Sequence, residues 1–214
     1  MKIKSKDYID LLCKRYPQLS ECKDSIIEAT ESLIDTYSNG EKLLICGNGG
    51  SAADSEHIVG ELMKGFVLPR HINEDLASRI KKESQNADYL IQNLQYGLPS
   101  ISLVSHTALS TAFANDMAPD VCFAQQVLGY GKKNDTLLGI STSGNSKNVV
   151  YAMEVAKSIG VKTIALTGHK DSKLSAIADV AIKVPSTVTY QIQELHLPVY
   201  HAICLALENE FFGD

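Results

Sequence analysis

The chain has 214 residues, 44% of them hydrophobic and 21% charged, a composition that indicates a folded domain with a sizeable core and excludes a mainly disordered protein. Its formal net charge of −5 argues against a nucleic-acid-binding surface, and no apolar stretch reaches the ~18 residues that a membrane-spanning helix requires. The N-terminus lacks the apolar run of a signal peptide, and five cysteines without CxxC spacing are typical of free thiols, so we expect a cytoplasmic protein.

The apolar pattern predicts helices that alternate with short buried strands. Two amphipathic helices are expected first, at 5–15 and 18–38, separated near Pro17 and ended by Asn39-Gly40. Five short apolar runs are typical of buried strands: 42–46, 100–104, 136–140, 162–166 and 179–184. Further helices are predicted at 51–64, 107–130, 145–159, 172–177 and 189–211. This alternation indicates an α/β fold whose parallel sheet is covered on both faces.

The segment 43–61, LLICGNGGSAADSEHIVGE, predicts a strand, a glycine-rich turn and a helix in succession. The first turn of a helix has free amide donors and the positive end of the helix dipole, so this turn can bind an anionic group. His57 and Glu61 are four residues apart and share a helix face. Their spacing alone is more typical of a solvated helix face, but beside the glycine turn it favours an enzyme acting on a small phosphorylated molecule.

A second glycine turn, GISTSGNS at 139–146, directly follows a predicted strand and precedes a predicted helix. It has four hydroxyl side chains: Ser141, Thr142, Ser143 and Ser146. Hydroxyls and helix amides together form a neutral phosphate site, and Gly144 lets the backbone approach closely. A serine-rich helix cap is the alternative, but it needs fewer hydroxyls than this turn provides. Loops at the carboxyl ends of parallel strands gather in one crevice, so both turns are expected to face one ligand.

The last predicted helix carries the segment QELHLPVYH, which includes Gln193 and His201. With His57 and Glu61, these side chains could make a metal site of nitrogen and oxygen ligands. On a straight helix Gln193 and His201 would lie about 12 Å apart along the axis. Sharing one ion therefore requires a bend, for which Pro198 is suited, a loose first turn, or ligands from two chains.

The chain resembles the sugar isomerase (SIS) domain family, and within it the phosphoheptose isomerases most closely. Five motifs carry the resemblance in the same order: CGNGGS (46–51), HIVGEL (57–62), LLGISTSGNSKNV (137–149), IALTG (164–168) and IQELHLPVYH (192–201). The resemblance implies a five-stranded parallel sheet flanked by helices, a flavodoxin-like three-layer sandwich, over residues 41–214. It also implies that the helices of residues 1–40, whose apolar faces would otherwise lack a partner, form an oligomerisation segment of a homotetramer with sites at subunit interfaces.

The resemblance also assigns roles to single residues. Glu61 and His201 match the family's acid/base pair. The matching substrate- and phosphate-binding residues are Asn48, Gly49, Ser51, Asp116, Ser141, Thr142, Ser143, Ser146 and Gln193. Where the family binds zinc, one ion per subunit, the matching ligands are His57, Glu61, Gln193 and His201.

The activity that the resemblance implies is aldose–ketose isomerisation of a sugar phosphate through an enediol. The family's default substrate is sedoheptulose 7-phosphate, which becomes D-glycero-D-manno-heptose 7-phosphate. Two alternatives stay open: a SIS isomerase for another sugar phosphate, and a non-catalytic SIS protein that binds a replication initiator. Glu61 with two histidines favours an enzyme.

Three departures from the family pattern lie around the expected substrate pocket. The stretch 67–98 is longer than the usual connection and is predicted to be an insertion that forms a helix after an irregular lead-in. Lys64-Gly65 stands where relatives often carry an arginine, and Tyr190 stands where they often carry an aspartate. These changes bear on the identity of the sugar more than on the type of reaction.

Overall fold

The fold is a five-stranded parallel sheet between two layers of helices, seen in a computed structural model that describes residues 1–213. The strands are β1 (Leu43–Gly47), β2 (Ser100–Ser102), β3 (Thr136–Ser141), β4 (Lys162–Thr167) and β5 (Val180–Lys183). They lie in the order β2-β1-β3-β4-β5, and every neighbouring pair is parallel. This order is the flavodoxin-like one, so the predicted α/β three-layer sandwich is confirmed.

Ten α-helices are described. They are α1 (Ile3–Arg15), α2 (Lys23–Ser38), α3 (Gly50–Met63), α4 (Glu74–Glu83), α5 (Ala87–Asn93), α6 (Thr107–Asp116), α7 (Cys122–Tyr130), α8 (Lys147–Ser158), α9 (Lys173–Ile177) and α10 (Thr189–Phe212). Short 3₁₀ segments precede α2 at Pro17–Cys22 and α7 at Pro119–Val121. Within the described residues, none of these helices is long and apolar enough to cross a membrane.

Alternating side chains of the strands build two separate cores. Leu43 and Ile45 of β1 point to one face of the sheet, where they pack with α1, α2, α3 and α10. Leu44 and Cys46 point to the other face and pack with α7, α8 and α9. All five β1 residues are buried, as the unbroken apolar run predicted.

The N-terminal helices have a partner within the chain. Ile9 and Leu12 of α1, and Ile26 and Leu33 of α2, are buried in the same core as the sheet and α10. The expectation that their apolar faces would lack a partner without a second subunit is therefore wrong. A role of residues 1–40 in oligomerisation needs another surface, such as the exposed Leu11.

Two predicted helices are interrupted where proline enters. The helix expected over 107–130 breaks into α6 and α7 because Pro119 disfavours the helical conformation for Ala118, which is extended at φ −156° and ψ 130°. The helix expected from residue 18 begins as the 3₁₀ segment that Pro17 starts, and turns into α2 only at Lys23.

The insertion forms two short helices, α4 and α5, rather than the single helix predicted. They pack chiefly against each other and have no buried residues. The two ends of the insertion are tied together, because the Tyr96 amide donates to the Arg70 carbonyl at 2.8 Å and His71 bridges Gln95. The Gly65 amide also donates to Gln95 Oε1 at 2.7 Å, so the insertion leaves and rejoins the fold beside the end of α3.

Helices α3 and α10 lie side by side and run in the same direction. At the start of α3, a Cβ on Gly50 would lie 2.4 Å from Gln193 Nε2 of α10. Further along, the rings of His57 and His201 lie 5.0 Å apart. Pro198 falls inside α10, which nevertheless stays one helix.

The buried His196 of α10 couples proton binding to folding. It is fully buried, and neither ring nitrogen has a hydrogen-bond partner among the described residues. Burial lowers its pKa to about 4, although the nearby Thr167 backbone partly opposes the shift. The native state thus binds the proton less readily than the unfolded chain, whose histidines titrate near pH 6.5.

We therefore expect protonation of His196 to have no effect on the free energy of unfolding above pH ~6.5. As the pH falls from ~6.5 to ~4, the free energy of unfolding should decrease progressively, by up to about 3 kcal/mol. Urea unfolding at pH 7.5 and pH 5 measures this difference. His196→Phe should flatten the dependence, whereas the exposed control His169→Gln should leave it unchanged. Equal pH dependence in both variants would contradict the assignment.

Candidate active site

Hydrogen bonds within the serine-rich loop after β3 fix its conformation. Gly144 has φ +64°, a left-handed conformation that favours glycine, and its amide donates to Ser141 Oγ at 3.1 Å. The Ser141 and Ser146 hydroxyls lie 3.0 Å apart, and the Asn145 amide donates to Ser143 Oγ at 3.2 Å. The predicted hydroxyl groups therefore surround one turn at the carboxyl edge of the sheet.

The first turn of α8 continues this loop and has backbone amides that are free to bind a ligand. Ser146 is its N-cap and its side chain bonds none of the amides that follow, although the Val149 amide donates to Asn148 Oδ1 at 3.1 Å. The amides of Lys147 and Asn148 have no hydrogen-bond partner among the described residues. The loop borders a cleft of about 220 Å³ whose lining includes Thr142, Ser143 and Asn145 on one side and His169 and Lys170 on another. Free amides, hydroxyls and the positive end of a helix dipole make this turn suited to a phosphate group.

The first glycine loop lies next to the second. Gly49 has φ +57° and begins α3, and Ser51 is buried in its first turn. Asn48 and Asn148 exchange two side-chain amide hydrogen bonds of 2.9 Å, which join this loop to the first turn of α8. The sequence did not single out Asn148, although it stands two residues after Ser146 in the same motif.

Glu61 lies in the last turn of α3 between basic groups. Its side chain is 14% exposed, with Oε1 3.3 Å from His57 Nε2 and Oε2 3.0 Å from Lys64 Nζ. His201 of α10 stacks edge-on with His57, with 5.0 Å between the ring centres. The structure thus brings together the carboxylate and both histidines that the sequence singled out.

The His201 imidazole binds a proton less readily than a free histidine does. Burial lowers its pKa and the neighbouring His57 lowers it further, whereas the charge of Glu61 opposes the shift. His201 Nε2 is buried without a hydrogen-bond partner among the described residues. Its imidazole is therefore neutral near pH 7 and able both to accept and to donate a proton.

Tyr200 and Asp54 form a hydrogen-bonded chain with His57, and the sequence did not predict either residue. Tyr200 OH lies 3.0 Å from His57 Nδ1 and donates to Asp54 Oδ1 at 3.3 Å. Burial raises the pKa of Asp54, although the hydrogen bond from Tyr200 partly offsets the rise. Burial, and then the charge of Asp54, raises the pKa of Tyr200. The chain Asp54–Tyr200–His57 thus fixes the orientation of the imidazole.

The predicted zinc ligands are not assembled into one site. Gln193 lies against Gly50 at the start of α3, whereas Glu61 lies near its end with Lys64 on one oxygen. In the part of the chain that the structure describes, no group of three His, Cys, Asp or Glu side chains is arranged to hold a metal ion. Zinc therefore stays a prediction that the family resemblance implies.

Asp116 stands apart from the groups above. It is exposed at the end of α6 and accepts a hydrogen bond from Asn115 at 2.9 Å. Beside Gly49 there is an open crevice of about 380 Å³, to which α6 contributes Ser110 and Thr111 rather than Asp116. Its predicted contact with substrate hydroxyls stays untested.

Comparison with known proteins identifies the architecture. The chain matches the SIS domain family over residues 7–97 and 90–168. It is 39% identical over 193 residues to a phosphoheptose isomerase of Helicobacter pylori (strain Shi470), covering 90% of this chain and 88% of that one.

Two solved phosphoheptose isomerases share the fold. The one from Francisella tularensis superimposes with a TM-score of 0.75 at 28% identity, covering 96% of this chain and 97% of that one. The one from Neisseria gonorrhoeae gives a TM-score of 0.70 at 30% identity, covering 97% and 92%. The chain therefore belongs to the phosphoheptose isomerase family of SIS domain proteins, a family of sugar-phosphate isomerases.

Gly144→Ala should lower the stability of the protein by more than the cost of a left-handed backbone conformation alone. A Cβ at this position would lie 2.1 Å from Ser172 Oγ, whereas Gly40, at φ +75°, has open space around it. We expect Gly40→Ala to cost about 1–2 kcal/mol of stability and Gly144→Ala to cost more. Urea unfolding of the two variants tests this, and equal losses would contradict it.

Proposed function

We propose that this chain isomerises sedoheptulose 7-phosphate to D-glycero-D-manno-heptose 7-phosphate. The observation that carries the proposal is the Glu61 carboxylate 3.3 Å from the His57 imidazole, which itself packs against the His201 ring, in a chain whose fold also offers a phosphate loop. The relatives are phosphoheptose isomerases, which supports a seven-carbon sugar phosphate as the substrate.

The reaction moves one proton between neighbouring carbons. In our proposal, Glu61 removes the proton from the carbon next to the carbonyl, which gives a cis-enediol, and returns it to the adjacent carbon. Its partner Lys64 Nζ, 3.0 Å away, stabilises the carboxylate and lies close enough to interact with the enediolate charge.

His201 completes the proposed acid/base pair. It would donate a proton to the carbonyl oxygen as the enediol forms and accept one from the neighbouring hydroxyl. The lowered pKa of its imidazole supports this role, because a neutral ring can act in both directions near pH 7. His57, oriented by Tyr200, would keep Glu61 in place.

The phosphate is held without a charged clamp in this proposal. Hydroxyls of the serine-rich loop and the amides of the first turn of α8 would bind its oxygens. Asn48, Gly49 and Ser51 lie at the adjoining loop, from which they would contact the sugar.

A second subunit is proposed to complete each site. Glu61 lies eleven residues after Gly50, about 16 Å along the axis of α3. The eight bonds from C1 to phosphorus of a heptose 7-phosphate span at most about 12 Å at ~1.5 Å each. We therefore propose that the phosphate loop of one subunit faces the Glu61–His201 pair of another in a homotetramer, with residues 1–40 contributing to the contact.

Another sugar phosphate is the second candidate substrate. The insertion rejoins the fold beside Gly65, and Lys64 and Tyr190 replace residues that are frequent in the family. These differences lie near the proposed site and favour a change in the sugar rather than in the reaction. Turnover of a pentose or hexose phosphate in place of the heptose phosphate would select this candidate.

Glu61→Gln tests the proposed base. The amide keeps the shape of the side chain but cannot take a proton, so we expect kcat to fall by about 100- to 10,000-fold. Turnover of sedoheptulose 7-phosphate followed by NMR gives the rate, and protection of the variant against heat by the same sugar phosphate checks that binding persists. Near-normal turnover would refute the role of Glu61, and loss of turnover together with binding would leave the base unidentified.

Mixed oligomers test the sharing of sites between subunits. Glu61→Gln removes the base, and Ser143→Glu sets a negative charge against the phosphate, so each variant alone should be inactive. Co-expressed subunits should regain activity, because some sites then combine an intact loop with an intact Glu61. Native mass spectrometry checks that the oligomers contain both variants. If such mixed oligomers regain no activity, the shared site is contradicted.

A further inference from the structure

A buried ion pair lies just beyond the acid/base group. The side chains of Arg70 and Glu208 are fully buried, with Arg70 Nη2 2.9 Å and Nε 3.0 Å from Glu208 Oε1. The guanidinium also stacks over the Phe212 ring, with 4.6 Å between its carbon and the ring centre. Such a pair is weak evidence for stability in itself, because desolvation offsets much of its attraction.

Glu208 binds the segment that leaves α3. Its Oε1 accepts the Phe66 amide at 2.7 Å, and its Oε2 accepts the amides of Val67 and Leu68 at 2.9 and 3.1 Å. Three consecutive amides on one carboxylate fix the backbone that follows the last turn of α3. Every buried oxygen of Glu208 is thereby satisfied.

Arg70 binds the end of α3 itself. Nη1 donates to the Leu62 carbonyl at 2.6 Å, and Nη2 donates to the Glu61 carbonyl at 3.2 Å. The last carbonyls of a helix have no partner within the helix, and such ends fray. Arg70 therefore holds the very turn that carries the Glu61 side chain.

The same pair also holds α10. Glu208 stands seven residues after His201, two turns along the same face of that helix. One face of α10 thus presents His201 to His57, the partner of Glu61, and Glu208 to Arg70. The ion pair fixes the ends of both helices relative to each other just beyond the point where His57 links Glu61 of α3 to His201 of α10.

We propose that Arg70 and Glu208 are positioning residues that fix the distance and angle between Glu61 and His201. This inference rests on the proposed function for its effect on rate. A carboxylate on a frayed helix end would sample many positions, and misplacement of about 1 Å can cost about 100-fold in rate. The five donors of Arg70 reach the two carbonyls and Glu208 at once, which a lysine cannot do.

The experiment compares Arg70→Gln and Arg70→Lys with Leu137→Ala, a buried change on the opposite face of the sheet. We expect Arg70→Gln to lower kcat about 100-fold with KM within about threefold, and Arg70→Lys to recover part of the loss. Leu137→Ala should lower the Tm comparably yet leave kcat near normal wherever the protein is folded.

Hydrogen exchange gives a readout that is independent of turnover. The amides of residues 61–63 and 66–68 should exchange faster in Arg70→Gln than in the wild type, and Leu137→Ala should not accelerate them selectively. Unchanged exchange there, or a kcat loss equal to that of Leu137→Ala, would overturn the inference. If the wild type turns over no sugar phosphate, the proposed function fails, while the exchange comparison still decides whether Arg70 fixes the end of α3.

Discussion

The alignment of β1 with β3 is the constraint on which the rest of the site depends. The two parallel strands pair from Leu43 with Thr136 to Gly47 with Ile140, and β3 continues for one residue more, so they end within one residue of the same level of the sheet. Each is followed at once by a glycine turn and a helix, which places the starts of α3 and α8 side by side. A one-residue slip would exchange the side chains that fill the two cores, so the close packing of both cores specifies this register and with it the meeting of the loops.

The two ends of helix α3 differ in their electrostatic environment. Its start lies among backbone amides, where the helix dipole favours an anion. Its end carries Glu61, a negative charge at the negative end of the same dipole, which is electrostatically unfavourable. The Lys64 ammonium on the carboxylate and the Arg70 guanidinium on the neighbouring carbonyls offset this unfavourable placement. The chain thus places a carboxylate where a helix alone would disfavour it, and surrounds it with positive charge.

The sequence predicted most of the fold because its signals are local. Apolar runs and glycine turns identified all five strands and the helices that carry Glu61, Ser146 and His201. Other features depend on residues that are distant in the sequence. Arg70 and Glu208 are 138 positions apart, and neither lies in a recognisable motif. The reciprocal bond between Asn48 and Asn148 likewise exists only once the sheet aligns their loops.

The insertion has a consequence for how this fold can vary. Its two helices pack chiefly against each other, and the Tyr96 amide donates to the Arg70 carbonyl, which joins the two ends of the insertion. A segment closed at its base in this way can change in length or content without displacing the strands on either side. The same junction would accept new chain termini or a grafted domain, and it would hold either of them a few residues from the turn that carries Glu61.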